Sequence, residues 1–295
     1  MGMSEFGEMS RIAAVAAPDY AVMTNIGLSH IGNLGSRENI RSEKLHITDR
    51  FHEGSVLFLN GDDPMLAPRH GKLPFRTVCY GTKPECAFRA EEIRIGEQSC
   101  TFRAELPDGN AVPVSLPVPG MHSVLDALAG IAVAAELGVP PEKAAAALSR
   151  YRSPAMRMQI RRTAAGVTVI DDSYNSSPDA AKSSLGVLCG FRSGKHIAVL
   201  ADMLELGAYS HQGHFEVGAY AAAAGVDLLV TVGREARAIA EGAHSVRPDL
   251  ECYICGDNIQ ALSVLKRVVG AGDTVLVKGS HSMNTGEIVA GLLAG

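Results

Sequence analysis

Tryptophan is absent from the 295 residues, and aromatic side chains make up only 5%. A core short of large rings has to be filled by aliphatic and small side chains, which suits helices lying close on a sheet. No apolar run reaches the length of a membrane span, and no stretch has the charged-then-apolar pattern of a secretory signal. A basic excess is missing too: 27 Lys and Arg stand against 32 Asp and Glu, for a formal charge of −5. The nearest basic group, Arg157, Arg161 and Arg162, is too sparse to follow a phosphate backbone, so nucleic acid is not the expected partner. Six cysteines are scattered along the chain, and "CYIC" at 252–255 has no second pair to complete a four-ligand zinc site. "ECYIC" also alternates like a strand, so reduced core or strand thiols in a cytoplasmic protein are the expectation.

Alanine and glycine are plentiful. "YAVMTNI" follows an "APD" turn as a short strand, and "SRENIRSEKLHITDRF" spaces Ile40, Leu45 and Ile47 like a helical face. "SVLFLNGDD" and "FRTVCYG" read as strands, and residues 86–118 alternate around "DGN" as a hairpin-rich insertion. "SVLDALAGIAVAAELG" and "PEKAAAALSRY" are helices, the second with proline in its first turn. Beyond the "RSPAMRMQIRR" string, strands at 167–171, 196–200, 227–232, 251–254 and 274–277 alternate with helices at 178–189, 211–224, 234–242, 257–269 and 283–293. The expected class is α/β, with domains at 1–152 and 153–295, the second a Rossmann-like parallel unit.

Polar groups recur where strands end, the edge at which open α/β sheets present ligand-binding groups. "TNIGLSHIGNLGS" offers Thr24, Asn25 and His30, the last either a solvated loop residue or a metal or phosphate neighbour. Lys44 reads as a lysine on a solvated helical face. "LNGDDP" is a plain turn or, through Asn60, Asp62 and Asp63, a purine or sugar contact. "VIDDSYNSSP" places Asp171, Asp172, Tyr174 and Asn175 before Ser177 and Pro178, which are expected to cap the next helix. Two carboxylates exceed what a cap needs, so a ribose or magnesium-linked role stands beside the capping one. Asp202 and Glu205 end the next strand, and Lys278 ends the last, with Gly279 and Ser280 opening a helix suited to an anion. Lys-Gly-Ser is not a phosphate loop of the Gly-Lys-Ser/Thr kind, and no Gly-x-Gly-x-x-Gly follows the first distal strand.

At these positions the sequence resembles the Mur ligases, the ATP-dependent amide-forming enzymes of peptidoglycan precursor synthesis. The matching strings are "MGMSEFGEMSRI", "TNIGLSHIGNLGSRENIRSEK", "LNGDD", "PVPGMHSVLDALAGIAVA", "MRM", "DDSYNSSPDA", "DMLELG", "HFEVG" and "VLVKGS", in family order along essentially the whole chain. The resemblance implies a remnant of the central ATPase domain followed by the Rossmann-like C-terminal domain. It implies ATP and Mg2+ as cofactors, and UDP-N-acetylmuramoyl-tripeptide and D-alanyl-D-alanine as the molecules joined. His30 would help bind magnesium, and Lys44 would be carbamylated to serve the same ion. Asn60 would face adenine, Arg157 the phosphates and Asp172 the ribose. Tyr174, Asn175 and Lys278 would line the side that receives the dipeptide. An acyl phosphate would form on the tripeptide carboxylate and be attacked by the dipeptide amine, with domain closure excluding water. A monomer is expected.

Departures from the family pattern accompany these matches. The family's N-terminal domain, its Gly-Thr-Asn-Gly-Lys-Thr phosphate loop and a glutamate ahead of Met1-Gly2-Met3 have no counterpart among these residues. His46, Ala201 and His281 stand where glutamate, glycine and arginine are common. Three expectations follow, the first two being a ligase shortened at its front, or a short protein that binds nucleotide or acts as a scaffold without ligating. Another Mur-like amide ligase is a third.

Overall fold

The protein is described from a computed structural model covering residues 2–294. Its chain divides into two compact units, residues up to Ile95 with Ser99–Arg152, and Gly96–Gln98 with everything from Ser153 onward.

In the first unit, helix α1 (Glu8–Ala16) leads into strand β1 (Tyr20–Met23), a short α2 (Ile31–Leu34) and α3 (Arg37–Leu45). Strands β2 (Val56–Asn60), β3 (Arg76–Gly81), β4 (Phe88–Ile95), β5 (Cys100–Glu105) and β6 (Ala111–Leu116) follow, then helices α4 (Met121–Glu136) and α5 (Pro141–Leu148). The six strands make one sheet in chain order, parallel from β1 to β4 and antiparallel from β4 to β6. Every residue of β2 is buried, the pattern of a parallel strand covered on both faces, whereas β5 and β6 alternate buried and exposed, as strands with one wet face do. The segment expected as an insertion of hairpins is therefore a continuation of the sheet. Its joint is the parallel pairing of β3 with β4 through Tyr80 and Gly81. Such a link between strands leaves no mark on the local alternation. Phe58, Tyr80, Phe102 and Leu128 pack the core beneath α4.

The second unit begins with β7 (Gln159–Arg162) and β8 (Thr168–Asp171), then alternates α6 (Pro178–Leu188), β9 (His196–Ala201), α7 (Ser210–Ala224), β10 (Leu228–Val232), α8 (Arg237–Val246), β11 (Glu251–Cys255), α9 (Asn258–Val268), β12 (Thr274–Lys278) and α10 (Gly286–Leu293). The sheet order is β11-β10-β9-β12-β8-β7, all parallel except β7, which runs antiparallel on the edge. The parallel unit read from the sequence thus carries one strand of opposite sense. β10 and β12 are buried throughout, and β12 inserts between β8 and β9. Strand order reverses there, so the carboxyl ends of β8 and β12 form the crevice where open sheets take ligands. Helices α7 and α8 pack with their backbones almost touching: a Cβ on Gly218 would lie 1.8 Å from the Ile239 carbonyl oxygen, and one on Gly242 1.9 Å from that of Phe215. Among the described residues no helix is long and apolar enough to cross a membrane.

Candidate functional site

Two clusters emerge, one in each unit. In the first unit they gather on the segment after β1. The Asn60 amide donates to the Thr24 carbonyl at 2.8 Å, while its own oxygen accepts from the Asp62 amide at 2.9 Å. Asp63, buried, accepts from the Ile26 amide at 2.8 Å, and Arg37 donates to the Ile26 carbonyl from two nitrogens. Lys44 Nζ reaches the Asn25 carbonyl at 3.5 Å. The three residues Thr24–Ile26 are thus held from β2's end and from α3, and Asn60 and Lys44 act on neighbouring carbonyls of one segment.

Lys44 is half-buried on α3. Burial pushes its ammonium below the ordinary lysine range, with the Asp63 carboxylate opposing part of that shift. His30 takes a left-handed conformation (φ 62°) at the start of α2 and lines a cavity of about 430 Å³ with Gly2, Met3, Ser4, Glu8, Arg11 and Ile12. Asp62 holds the next loop, accepting from the Thr82 amide and hydroxyl at 3.0 Å.

Glu43 was not singled out by its pattern. It is buried on the otherwise polar α3 and accepts from the Gly7 amide at 3.0 Å and the Met9 amide at 2.9 Å, at the amino end of α1. A carboxylate there satisfies donors that the helix cannot, and it meets the positive end of the dipole. On α4, Asp126 is raised by burial, with His122 one turn earlier pulling the other way. No spacing rule distinguishes either carboxylate from a surface one.

In the second unit the distal residues converge on the crevice. Asp172 follows β8, and its two oxygens accept from three donors, which leaves Oδ1 able to accept one more. One accepts from the Met158 amide at 3.1 Å; the other accepts from the Ser184 hydroxyl at 2.7 Å and from Lys278 Nζ at 2.5 Å. Lys278, only 4% exposed, also donates to the Asn175 carbonyl at 3.0 Å. The pair joins residues 106 positions apart in sequence. Asp171 turns the other way and accepts from the Ser173 hydroxyl at 2.6 Å. Neither carboxylate caps α6. Ser177 occupies the cap position with Pro178 next, as expected, but its side chain makes no cap bond.

Tyr174, 41% exposed, carries the Arg157 guanidinium 4.0 Å above its ring and the His281 ring 5.2 Å away. Such a cation over a phenol face is mildly favourable and holds the guanidinium in place. His281 is also within 3.2 Å of the Tyr174 carbonyl. A helix does not open at Gly279: residues His281–Met283 make one 3-10 turn, and α10 starts at Gly286. Asp202 caps the approach to α8, accepting from the Arg234 and Ala236 amides. Among the described residues no three His, Cys, Asp or Glu side chains gather into a metal cluster.

Comparisons with known proteins agree with this division. The Mur ligase middle domain matches residues 1–134, and the Mur ligase glutamate ligase domain matches residues 156–281. The UDP-N-acetylmuramoyl-tripeptide–D-alanyl-D-alanine ligase of Bacillus subtilis is 35% identical over 99% of the chain and 63% of its own length. The ligase of the same name from Mycobacterium leprae is 32% identical over 96% of the chain and 60% of its own length. A crystal structure of MurF from Acinetobacter baumannii superposes with TM-score 0.90 at 26% identity, covering all of this chain and 64% of that one. MurF ligase of Thermotoga maritima, solved with ADP, has the same fold, with TM-score 0.84 at 24% identity over 99% of this chain and 65% of that one. The chain spans less than two thirds of the length of these relatives. With both domain models matched in order and relatives aligned from end to end of the chain, this protein belongs to the Mur ligase family.

Proposed function

We propose that the chain carries nucleotide- and acceptor-binding parts of an ATP-dependent ligase that joins D-alanyl-D-alanine to UDP-N-acetylmuramoyl-tripeptide in peptidoglycan precursor synthesis. The observation that carries this reading is the 35% identity over 99% of the chain to a ligase of that name.

The magnesium reading turns on Lys44. As an ammonium it repels a metal. Burial lowers its pKa and so favours the neutral amine, the form that adds carbon dioxide to give a carbamate with metal-binding oxygens. The half-buried amine fits that conversion, and Lys44 as the carbamate, with His30, would hold the ion. Bound Mg-ATP would supply the phosphoryl group that activates the tripeptide carboxylate and positive charge on the phosphoryl oxygens.

The remaining work belongs to this chain's own groups. Asn60 fixes the Thr24–Ile26 segment and presents β2's end to the purine. Arg157, held on Tyr174, supplies a positive charge to phosphates, and Asp172 offers a carboxylate to the ribose hydroxyls. Lys278 neutralises Asp172 and anchors the Asn175 carbonyl, which shapes the wall that takes the dipeptide.

Isothermal titration tests the reading. Mg-ATP is expected to bind, Asp172→Asn to weaken binding about tenfold, in line with one lost hydrogen bond to a charged group, and D-alanyl-D-alanine to give heat that L-alanyl-L-alanine does not. A chain that takes up neither nucleotide nor dipeptide overturns it. A mixture with both substrates, assayed by mass for the joined product, reads turnover directly.

A further inference from the structure

Cys79 lies in β3 and Cys86 in the loop that leads to β4, and their sulfurs are 2.7 Å apart. Both thiols are free and buried, at 2% and 5% exposure. The pair sits over Gly61: a Cβ there would lie 2.3 Å from the Cys86 sulfur and 2.5 Å from that of Cys79. Glycine at this turn is what leaves room for two sulfurs side by side. The loop between them grips the same turn. Thr82 bonds Asp62, Lys83 Nζ donates to the Gly61 carbonyl at 2.9 Å, and the Cys86 amide donates to the Lys83 carbonyl at 3.0 Å.

We propose that Cys79 and Cys86 are a modification site, a thiol pair that a small peroxide converts to a reversible disulfide stapling loop 79–86 over the Asn60–Asp63 turn. The sulfurs need to close by roughly 0.7 Å to reach the covalent distance of about 2.05 Å. Either sulfur can donate in the bond between them; with Cys79 as donor, that bond lowers the Cys86 pKa and raises that of Cys79, while the Asp62 and Glu85 carboxylates oppose ionisation of both. The other four cysteines are all pushed up, with burial the first cause in each, so Cys86 is the most readily ionised of the six.

The chemistry balances with hydrogen peroxide as the oxidant. The Cys86 thiolate attacks one peroxide oxygen, the O–O bond breaks, and hydroxide leaves to take up the thiol's proton as water. The Cys79 sulfur then attacks the Cys86 sulfenic acid, the S–O bond breaks, and a second water departs with the Cys79 proton. Two thiols lose two electrons and two protons, and one peroxide becomes two waters. At 2% and 5% exposure the two sulfurs are closed to a peptide disulfide such as oxidised glutathione, so the oxidant has to be small.

The test treats the purified chain with hydrogen peroxide, blocks remaining thiols with N-ethylmaleimide, and maps peptides by mass. The expected result is a Cys79–Cys86 linked peptide lighter by two hydrogen atoms, restored by dithiothreitol, with slower amide exchange at Asp62 and Thr82 in the oxidised form. In Cys79→Ser, dimedone should trap Cys86 as the sulfenic acid. The proposal is overturned if all six thiols stay alkylatable, if Cys86 passes to sulfinic acid without a disulfide, or if Cys100, Cys189, Cys252 or Cys255 oxidises first.

Discussion

Replacing Lys278 by methionine removes the cation but keeps most of its volume, which isolates the charge of the Asp172–Lys278 pair. The Asp172 and Lys278 side chains are 14% and 5% exposed, so neither charge is well solvated if its partner goes. Methionine would leave Asp172 with the Met158 amide and the Ser184 hydroxyl, and the Asn175 carbonyl without its donor. Breaking a buried pair from one side costs about 3–5 kcal/mol. For a unit of this size that is a fall of roughly 10 °C in melting temperature. Asp172→Asn should cost a similar amount, because it strands an ammonium beside one carbonyl. The double variant Asp172→Asn/Lys278→Met should recover part of the loss, since no uncompensated charge remains. Urea unfolding followed by circular dichroism, without ligands, gives all three values. If each single variant loses under about 1 kcal/mol, as a surface pair would, the pair is open to water and the reasoning fails.

Glu43→Ala should cost about 2 kcal/mol, the worth of a charged acceptor to two amides, and should speed amide exchange in the first turn of α1. Gly218→Ala forces a Cβ to 1.8 Å from the Ile239 carbonyl oxygen and should destabilise the second unit by about 3 kcal/mol, read by thermal melting. His214 is buried, with one ring nitrogen donating to the Ser210 carbonyl and the other accepting from the Met203 amide, and burial lowers its pKa. Its neutral form is the one the fold wants, so its contribution is complete above the ordinary histidine value of about 6.5 and falls as acid drives pH toward the lowered folded value. His214→Gln should flatten that acid slope in pH-dependent unfolding. Lys44→Met should leave stability unchanged or raise it by up to about 1 kcal/mol while abolishing the carbamate signal from labelled carbon dioxide by carbon NMR; a carbamate signal that persists in the variant places that chemistry elsewhere.

The alternation of strands and helices after residue 167 was legible because β9, β10 and β12 are buried at nearly every position and so read as short apolar runs between turns. The antiparallel sense of β7 was not, since a strand's direction relative to its neighbour depends on a partner elsewhere in the chain. The same holds for β4, which the sequence assigns to a hairpin and which also pairs with β3. Asp172 and Lys278 were each marked by ending a strand, but their pairing follows from β12 entering beside β8, a fact of sheet order. Lys44 misleads on its own because charged neighbours Glu43 and His46 suggest a wet helix, when Glu43 itself is buried against α1.

The glycine contacts of Gly218 and Gly242 let the carbonyls of α7 and α8 stand where side chains would ordinarily keep helices apart. Two rods that close have no lubricating layer to slide on, so they shift as a single slab. The Asp202–Met203 bend is clamped to that slab twice, by His214 from α7 and by the amides leading into α8. Any displacement of this bend must carry both helices with it, which makes the rim of the second sheet stiff on the β9 side.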